Sequence, residues 1–280
     1  MNKYQILKII TQLLFYVQPF VDRSYILIFL RDLCGTHCSN KFFYISLTLG
    51  INFLTRFIVD IFFLSLYYFQ PKFLENYKIN KKWLWETDIN YNNKIFGTIM
   101  HYLSLNVFIF VPLALISFDE NNDYHKIDPI LVPKWYVSFY QIMVTLLLYD
   151  LIFFIIHKSL HSKYLYWIHK KHHEYTNTVI WADTHTSFIE VLLVAVFPYI
   201  IIGMLFDTHV YTQCMLIIVS ITLGISQHSN YDLPYSPFDL IPFSNTNKAH
   251  VYHHKLLNVN FAPYWTTLDT IFGSNKIHKK

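Results

Sequence analysis

Tyr136-Val-Ser-Phe-Tyr-Gln-Ile-Met-Val-Thr-Leu-Leu-Leu-Tyr-Asp150-Leu-Ile-Phe-Phe-Ile-Ile156 runs without a break into His157-Lys-Ser-Leu-His161. A membrane-crossing helix needs about 20 mainly apolar residues, and this stretch supplies them. The two histidines that follow are four residues apart, which puts both imidazoles on one face of a helix as it leaves the apolar layer. Asp150 precedes His157 by two helical turns on the same face. It is therefore a candidate to accept the free ring N–H of a metal-bound histidine.

Two further clusters lie downstream, His169-Lys-Lys-His172-His173 and His250-Val-Tyr-His253-His254. Neutral imidazole is a good ligand for iron, zinc, copper and nickel. One His-x3-His pair arises easily by chance, but three boxes of matched spacing do not. Eight imidazoles exceed what one four- or six-coordinate ion uses, so the simpler account is a dinuclear centre. His228 ends the last apolar run and is a ninth candidate ligand; His185, in Ala-Asp-Thr-His-Thr, is a weaker tenth. Hydrolytic zinc sites need only three protein ligands and a water. So many nitrogens suit instead an ion that cycles through oxidation states, activates O2 and attacks an unactivated C–H bond of a lipid.

Apolar runs at Phe43–Phe69, Gly97–Phe118, Ser187–Phe206 and Val210–Ser226 complete the candidate spans, the last two joined by Asp207-Thr-His209 as a hairpin. Tyr4–Val21 is apolar too, but Pro19, Asp22 and Arg23 interrupt it before Ser24–Leu30, and an interfacial helix is expected there. Only 14% of residues are charged, against roughly 25% in soluble domains, which agrees with a membrane protein. The loop holding Lys78, Lys81, Lys82 and Lys94 is basic, whereas 119–134 is acid-rich; the positive-inside rule makes the first cytoplasmic. Threading onward from there puts all three boxes on the cytoplasmic side. Arg56 and Asp60, one turn apart inside a span, are expected to pair.

The net charge of +4 is scattered, without the dense basic stripe of a nucleic-acid reader. Cys34, Cys38 and Cys214 lack zinc-finger spacing and read as ordinary thiols. No linker or repeat divides the chain. The expected fold is an all-α integral membrane protein of four to six membrane helices with a cytoplasmic helical cap. N-terminal membrane segments and loops occupy 1–135, the catalytic region 136–274 and a tail 275–280, with the first two forming one integrated domain.

From Asp150 to Ser274 the pattern His-x3-His, His-x2-His-His, His-x2-His-His resembles the fatty acid hydroxylase/sterol desaturase superfamily. His228-Ser-Asn-Tyr-Asp-Leu-Pro, Leu-Ile-Pro-Phe at 240–243, and Asn260-Phe-Ala-Pro-Tyr-Trp with Asp269 and Ile271-Phe-Gly look most like cholesterol 25-hydroxylases. His172-His173-Glu174 leans toward sterol C4-methyl oxidases. The chain departs from these relatives at Ala249-His250-Val251, where they open with His-His-Asp, at Ser229-Asn230, where they have Ser-Gly, and at Leu268, where they have Trp.

The resemblance implies a non-haem di-iron monooxygenase of the endoplasmic reticulum, fed with electrons from NADPH through a reductase or cytochrome b5. It would insert one oxygen of O2 into a sterol C–H bond. The eight box histidines, His157, His161, His169, His172, His173, His250, His253 and His254, would be the iron ligands. A C4-methyl oxidase or a sterol desaturase is the alternative within the class. A membrane metal transporter is the alternative outside it, although that would call for histidines along mid-membrane rather than at span ends.

Overall fold

The computed structural model describes residues 23–35, 37–233 and 244–276. Tyr4–Val21, the 240–243 stretch and His278 lie outside them. Eight helices order the described chain: α1 (Arg23–Cys34), α2 (Asn40–Phe69), α3 (Tyr91–Ile116), α4 (Trp135–Leu160), α5 (Phe188–Leu205), α6 (Val210–His228), α7 (Asn247–Leu256) and α8 (Thr266–Ile271), with single turns between them. Helices α2 to α6 are each long and apolar enough to cross a membrane. Their polarity is inverted relative to a soluble bundle: Phe57 is 63% exposed and Ile155 56%, while Arg56, Asp60 and Asp150 are buried. The chain is thus a multi-pass, all-α membrane protein, as the apolar runs predict.

Local chemistry sets the helix ends. Ser39, Ser187 and Thr246 cap α2, α5 and α7 by accepting from the backbone N–H of Phe42, Glu190 and Ala249, satisfying donors that have no partner within the helix. Pro112 in α3 and Pro198 in α5 each lie just after a π-helical turn, Asn106–Phe110 and Leu192–Val196. Proline frees the carbonyl four residues back and its ring crowds it, and a wider turn makes room. In α5 the freed carbonyl of Val194 accepts from the Tyr149 hydroxyl of α4 at 3.0 Å. The proline thereby becomes an interhelical tie.

Helix α2 packs along α6, and α4 packs against α5 and α6. The expected Arg56–Asp60 pair forms at 3.0 Å, and Arg56 also makes two bonds to Asp183, at 2.7 and 3.1 Å, while lying over the Trp181 ring. One buried guanidinium therefore ties α2 to the segment after the second histidine box.

The two ends of the bundle differ. At one end, Glu120 accepts from the Lys41 N–H, Lys126 pairs with Asp207, and His209 donates to the Asp128 carbonyl. Cys34 and Cys38 lie here as well. They are joined in a disulfide, not the free thiols expected from spacing, because Gly35 (φ +84°) ends α1 and turns the chain back on itself. Cys214 is free and buried. At the other end the 70–90 loop, the 161–187 segment and the chain after His228 meet, around a core of Tyr67, Trp83, Tyr175 and Tyr231.

Candidate metal centre

All three histidine boxes and His228 converge at that second end. His157 is on the last turn of α4 and His161 caps it. His169 closes the helical turn Tyr166–His169, and His172 and His173 open a 3-10 turn. His228 is the last residue of α6, and α7 carries the third box. The imidazoles sort into two groups that could each hold a metal ion: His157, His161, His169, His173 and His253 in one, His172, His228, His250 and His254 in the other. Helical periodicity accounts for part of the sorting. The pairs 157/161, 169/173 and 250/254 are each four residues apart and stay together, whereas His172 and His253, one residue out of step, cross to the opposite group. The second and third boxes therefore straddle both groups and hold them side by side.

The ring nitrogens suit cations. Nδ1 of His157 meets the Phe261 carbonyl at 2.7 Å, Nδ1 of His253 the Val259 carbonyl at 2.7 Å, and Nδ1 of His228 the Gly224 carbonyl at 2.8 Å. A carbonyl only accepts, so these nitrogens carry the proton and each Nε2 keeps a lone pair. The Nε2 atoms then crowd together. His169 Nε2 is 3.0 Å from that of His157 and 2.9 Å from that of His173; His228, His250 and His254 form a triangle of 2.9, 3.2 and 3.2 Å. Protons cannot bridge every edge of such a triangle. Two nitrogens bonded at right angles to one ion, each about 2.1 Å from it, would lie about 3.0 Å apart, so the spacing fits a shared cation. His253 Nε2, buried and without a protein partner among the described residues, belongs to the same converging set.

Burial, reinforced by neighbouring imidazoles, holds His161, His169, His172, His173, His250, His253 and His254 well below the ordinary histidine range, His173 to about 3. The rings outside the spans are therefore neutral at pH 7, the form that binds metal.

Two sequence expectations change. His185 joins neither group; its ring lies between Thr98 Oγ1 (2.7 Å) and Glu174 Oε2 (2.9 Å), and it ties the second box to α3. Asp150 does not reach an imidazole. Its Oδ1 accepts from the backbone N–H of Tyr264 and Trp265 at 2.7 and 3.1 Å, because His157 turns its Nδ1 toward the Phe261 carbonyl on the same loop. The carboxylate thus anchors the loop, and the loop orients the histidine.

Spacing also overlooks three other supports. Glu190, buried at the start of α5, meets His169 Nδ1 at 2.7 Å. Asp269 accepts from the N–H of Phe261 and of Ala262, both at 2.8 Å, and from Ser274 at 2.7 Å. Asn260, at φ +52°, donates to the Ala249 carbonyl at 3.0 Å and accepts from the Lys276 N–H. Asn260 and Asp269 stand out in the sequence only through the family-like tail, and Glu190 only as a lone acidic residue at the mouth of an apolar run.

Comparison with known proteins agrees with this geometry. Residues 142–274 match the fatty acid hydroxylase family. The chain is 26% identical over 208 residues to a very-long-chain aldehyde decarbonylase of Oryza sativa subsp. indica, covering 72% of this chain and 75% of the relative. It is 29% identical over 205 residues to methylsterol monooxygenase 1-1 of Arabidopsis thaliana, covering 71% and 66%. It is 31% identical over 145 residues to methylsterol monooxygenase 1 of Gallus gallus, covering 51% and 49%. No solved structure matches. The match spans the three histidine boxes, His228 and both loops that orient them, so the chain carries a fatty acid hydroxylase family domain at 142–274.

Proposed function

We propose that the protein is an O2-dependent di-iron monooxygenase that hydroxylates a sterol. The observation that carries this reading is the pair of imidazole groups, whose Nε2 atoms converge on two neighbouring points. Bound iron would supply O2 activation and the oxidation of an unactivated C–H bond. The protein's part is to keep nine imidazoles neutral and aimed inward. His157, His161, His169, His173 and His253 would hold one ion; His172, His228, His250 and His254 would hold the other. Aromatic side chains adjoin them, Phe153 against His157 and Tyr149 against Tyr199 and Tyr264, and would keep water from an apolar body bound beside the metal layer.

The methylsterol monooxygenases among the relatives favour a ring methyl group as the target. The tail at 260–273 favours a side-chain carbon, as in cholesterol 25-hydroxylases. Electrons would come from NADPH through a reductase or cytochrome b5. The lysines at 78, 81, 82, 94, 163 and 170 lie at the histidine end and Asp119, Glu120, Asp123 and Asp128 at the other, which supports a cytoplasmic metal layer. The Cys34–Cys38 disulfide at the acidic end fits an oxidising lumen such as that of the endoplasmic reticulum.

The test is expression with lipid profiling, comparing the parent with His172→Ala. The expected result is a sterol product heavier by one oxygen, absent in the variant, whose fragmentation places the oxygen on ring methyl or side chain. A product lighter by two hydrogens would make the protein a desaturase, and no oxidised lipid from iron-loaded protein would refute the reading.

A further inference from the structure

The four-histidine group is gripped by a part of the chain outside the matched domain. Directly after His228 the chain passes through Ser229 and Asn230, both buried, and Asn230 adopts φ +63°. This left-handed backbone is one that glycine takes most readily and asparagine tolerates. Asparagine adds a side chain that holds another segment. Its Oδ1 accepts from the Asn80 N–H at 2.8 Å and its Nδ2 donates to the Asn80 carbonyl at 3.3 Å, while its own carbonyl accepts from the Ile79 N–H at 2.9 Å.

Further bonds extend the seam on both sides. The Asp232 N–H donates to the Tyr77 carbonyl at 2.9 Å, and the Tyr67 hydroxyl donates to the Ser229 carbonyl at 2.8 Å. The seam continues into the third box: Lys255, next to His254, donates to Asn80 Oδ1, and Asn247 at the start of α7 donates to the Tyr231 carbonyl at 2.9 Å. The loop between the first two spans thus holds both walls of one histidine group. In the other group, the acceptors of His157 and His253 sit on the 259–262 loop, within the matched domain.

We propose that Asn230 and Asn80 are positioning residues that clasp the 77–80 loop to the chain after His228 and so set metal retention at the four-histidine group alone. The inference rests on the two-metal reading above. Both residues are buried, so loss of the two side-chain bonds of Asn230 predicts release about tenfold or more faster.

The experiment uses the full chain in lipid nanodiscs loaded with cobalt(II), chased with a chelator, and followed by metal count and by the cobalt absorption spectrum. Parent protein is expected to hold two ions per chain. Asn230→Gly keeps the backbone conformation and removes only the side-chain bonds; it should release one ion about tenfold faster and leave the other at the parental rate. Asn80→Ala leaves the main-chain bonds to Asn230 in place and removes the acceptor for Lys255; it should speed release of the same ion by a smaller factor, and Asn80→Asp, which retains that acceptor, should restore much of the retention. Equal acceleration of both ions, or of neither, in a variant whose melting temperature is unchanged would overturn the clasp while leaving the two-metal reading intact. Fewer than two ions in the parent would overturn both.

Discussion

The two histidine groups share boxes but not foundations. In the five-histidine group, three rings are oriented through their far nitrogen: His157 by the Phe261 carbonyl, His253 by the Val259 carbonyl and His169 by Glu190. In the four-histidine group only His228 has such a partner, the Gly224 carbonyl, whereas Nδ1 of His172 and of His254, like that of His173 in the other group, has no protein partner among the described residues. Partners to the far nitrogen fix tautomer and ring plane. The first group is therefore organised through three of its five rings. The second depends on the placement of whole helix ends, α6 ending at His228 and α7 carrying His250 and His254. One site is built by hydrogen bonds to ligands, the other by hydrogen bonds between backbone segments.

The largest effect is expected where adjacent residues serve different groups. His253→Ala and His254→Ala remove neighbours on one helix, yet each should cost a different ion. Both variants should lose turnover by at least about a thousandfold, because an ion with a missing ligand abandons chemistry that needs the pair. Iron Mössbauer spectra should show the two variants retaining distinct components. Identical residual spectra would break the division into two groups.

Glu190→Ala probes the organised group with a smaller expected effect. It strands the buried His169 Nδ1–H, and losses of such partners typically cost about 10- to 100-fold in metal affinity. Affinity at the five-histidine group should fall by that amount while the four-histidine group holds its ion. Glu190→Gln, which still offers an oxygen, should fall between. Chelator competition with two resolved phases measures both.

These variants also mark what was legible in the sequence. The spans, the boxes and their meeting at one end follow from apolar run length and from the spacing of His157, His161, His169, His172, His173, His250, His253 and His254, all local patterns. Helical periodicity accounts for the i,i+4 pairs but not for the division into groups, since 169/172 and 250/253, three apart, share a face too and are split. What stayed hidden depends on contacts between distant segments. Glu190 reaches back 21 residues to His169, and Asn230 reaches 150 residues to Asn80. Asp150 lies two turns from His157 as expected, yet a loop 114 residues later claims its carboxylate. His185 follows the second box closely, but the fold turns it toward Thr98 on α3. Spacing reports which face a residue occupies; it does not report what is packed opposite that face.

The smallest expected effect tests whether the membrane body and the metal layer are separable. The Tyr149 hydroxyl satisfies the Val194 carbonyl that Pro198 leaves without its helical donor. Tyr149→Phe keeps the ring stacks with Tyr199 and Tyr264 and removes only the hydroxyl. A buried carbonyl left unpaired costs about 1–3 kcal/mol, and the π-helical turn at Leu192–Val196 offers slack to reduce it. The variant should therefore unfold about 1 kcal/mol more easily in denaturant titrations, with both ions retained. Glu190, two residues before that turn, is one link by which the loss could reach a ligand, and the loop that Asp150 anchors is another. Metal loss confined to the five-histidine group in Tyr149→Phe would mean that the organised site is coupled to the helix packing beneath it, through Glu190 to His169 or through the 261–265 loop to His157.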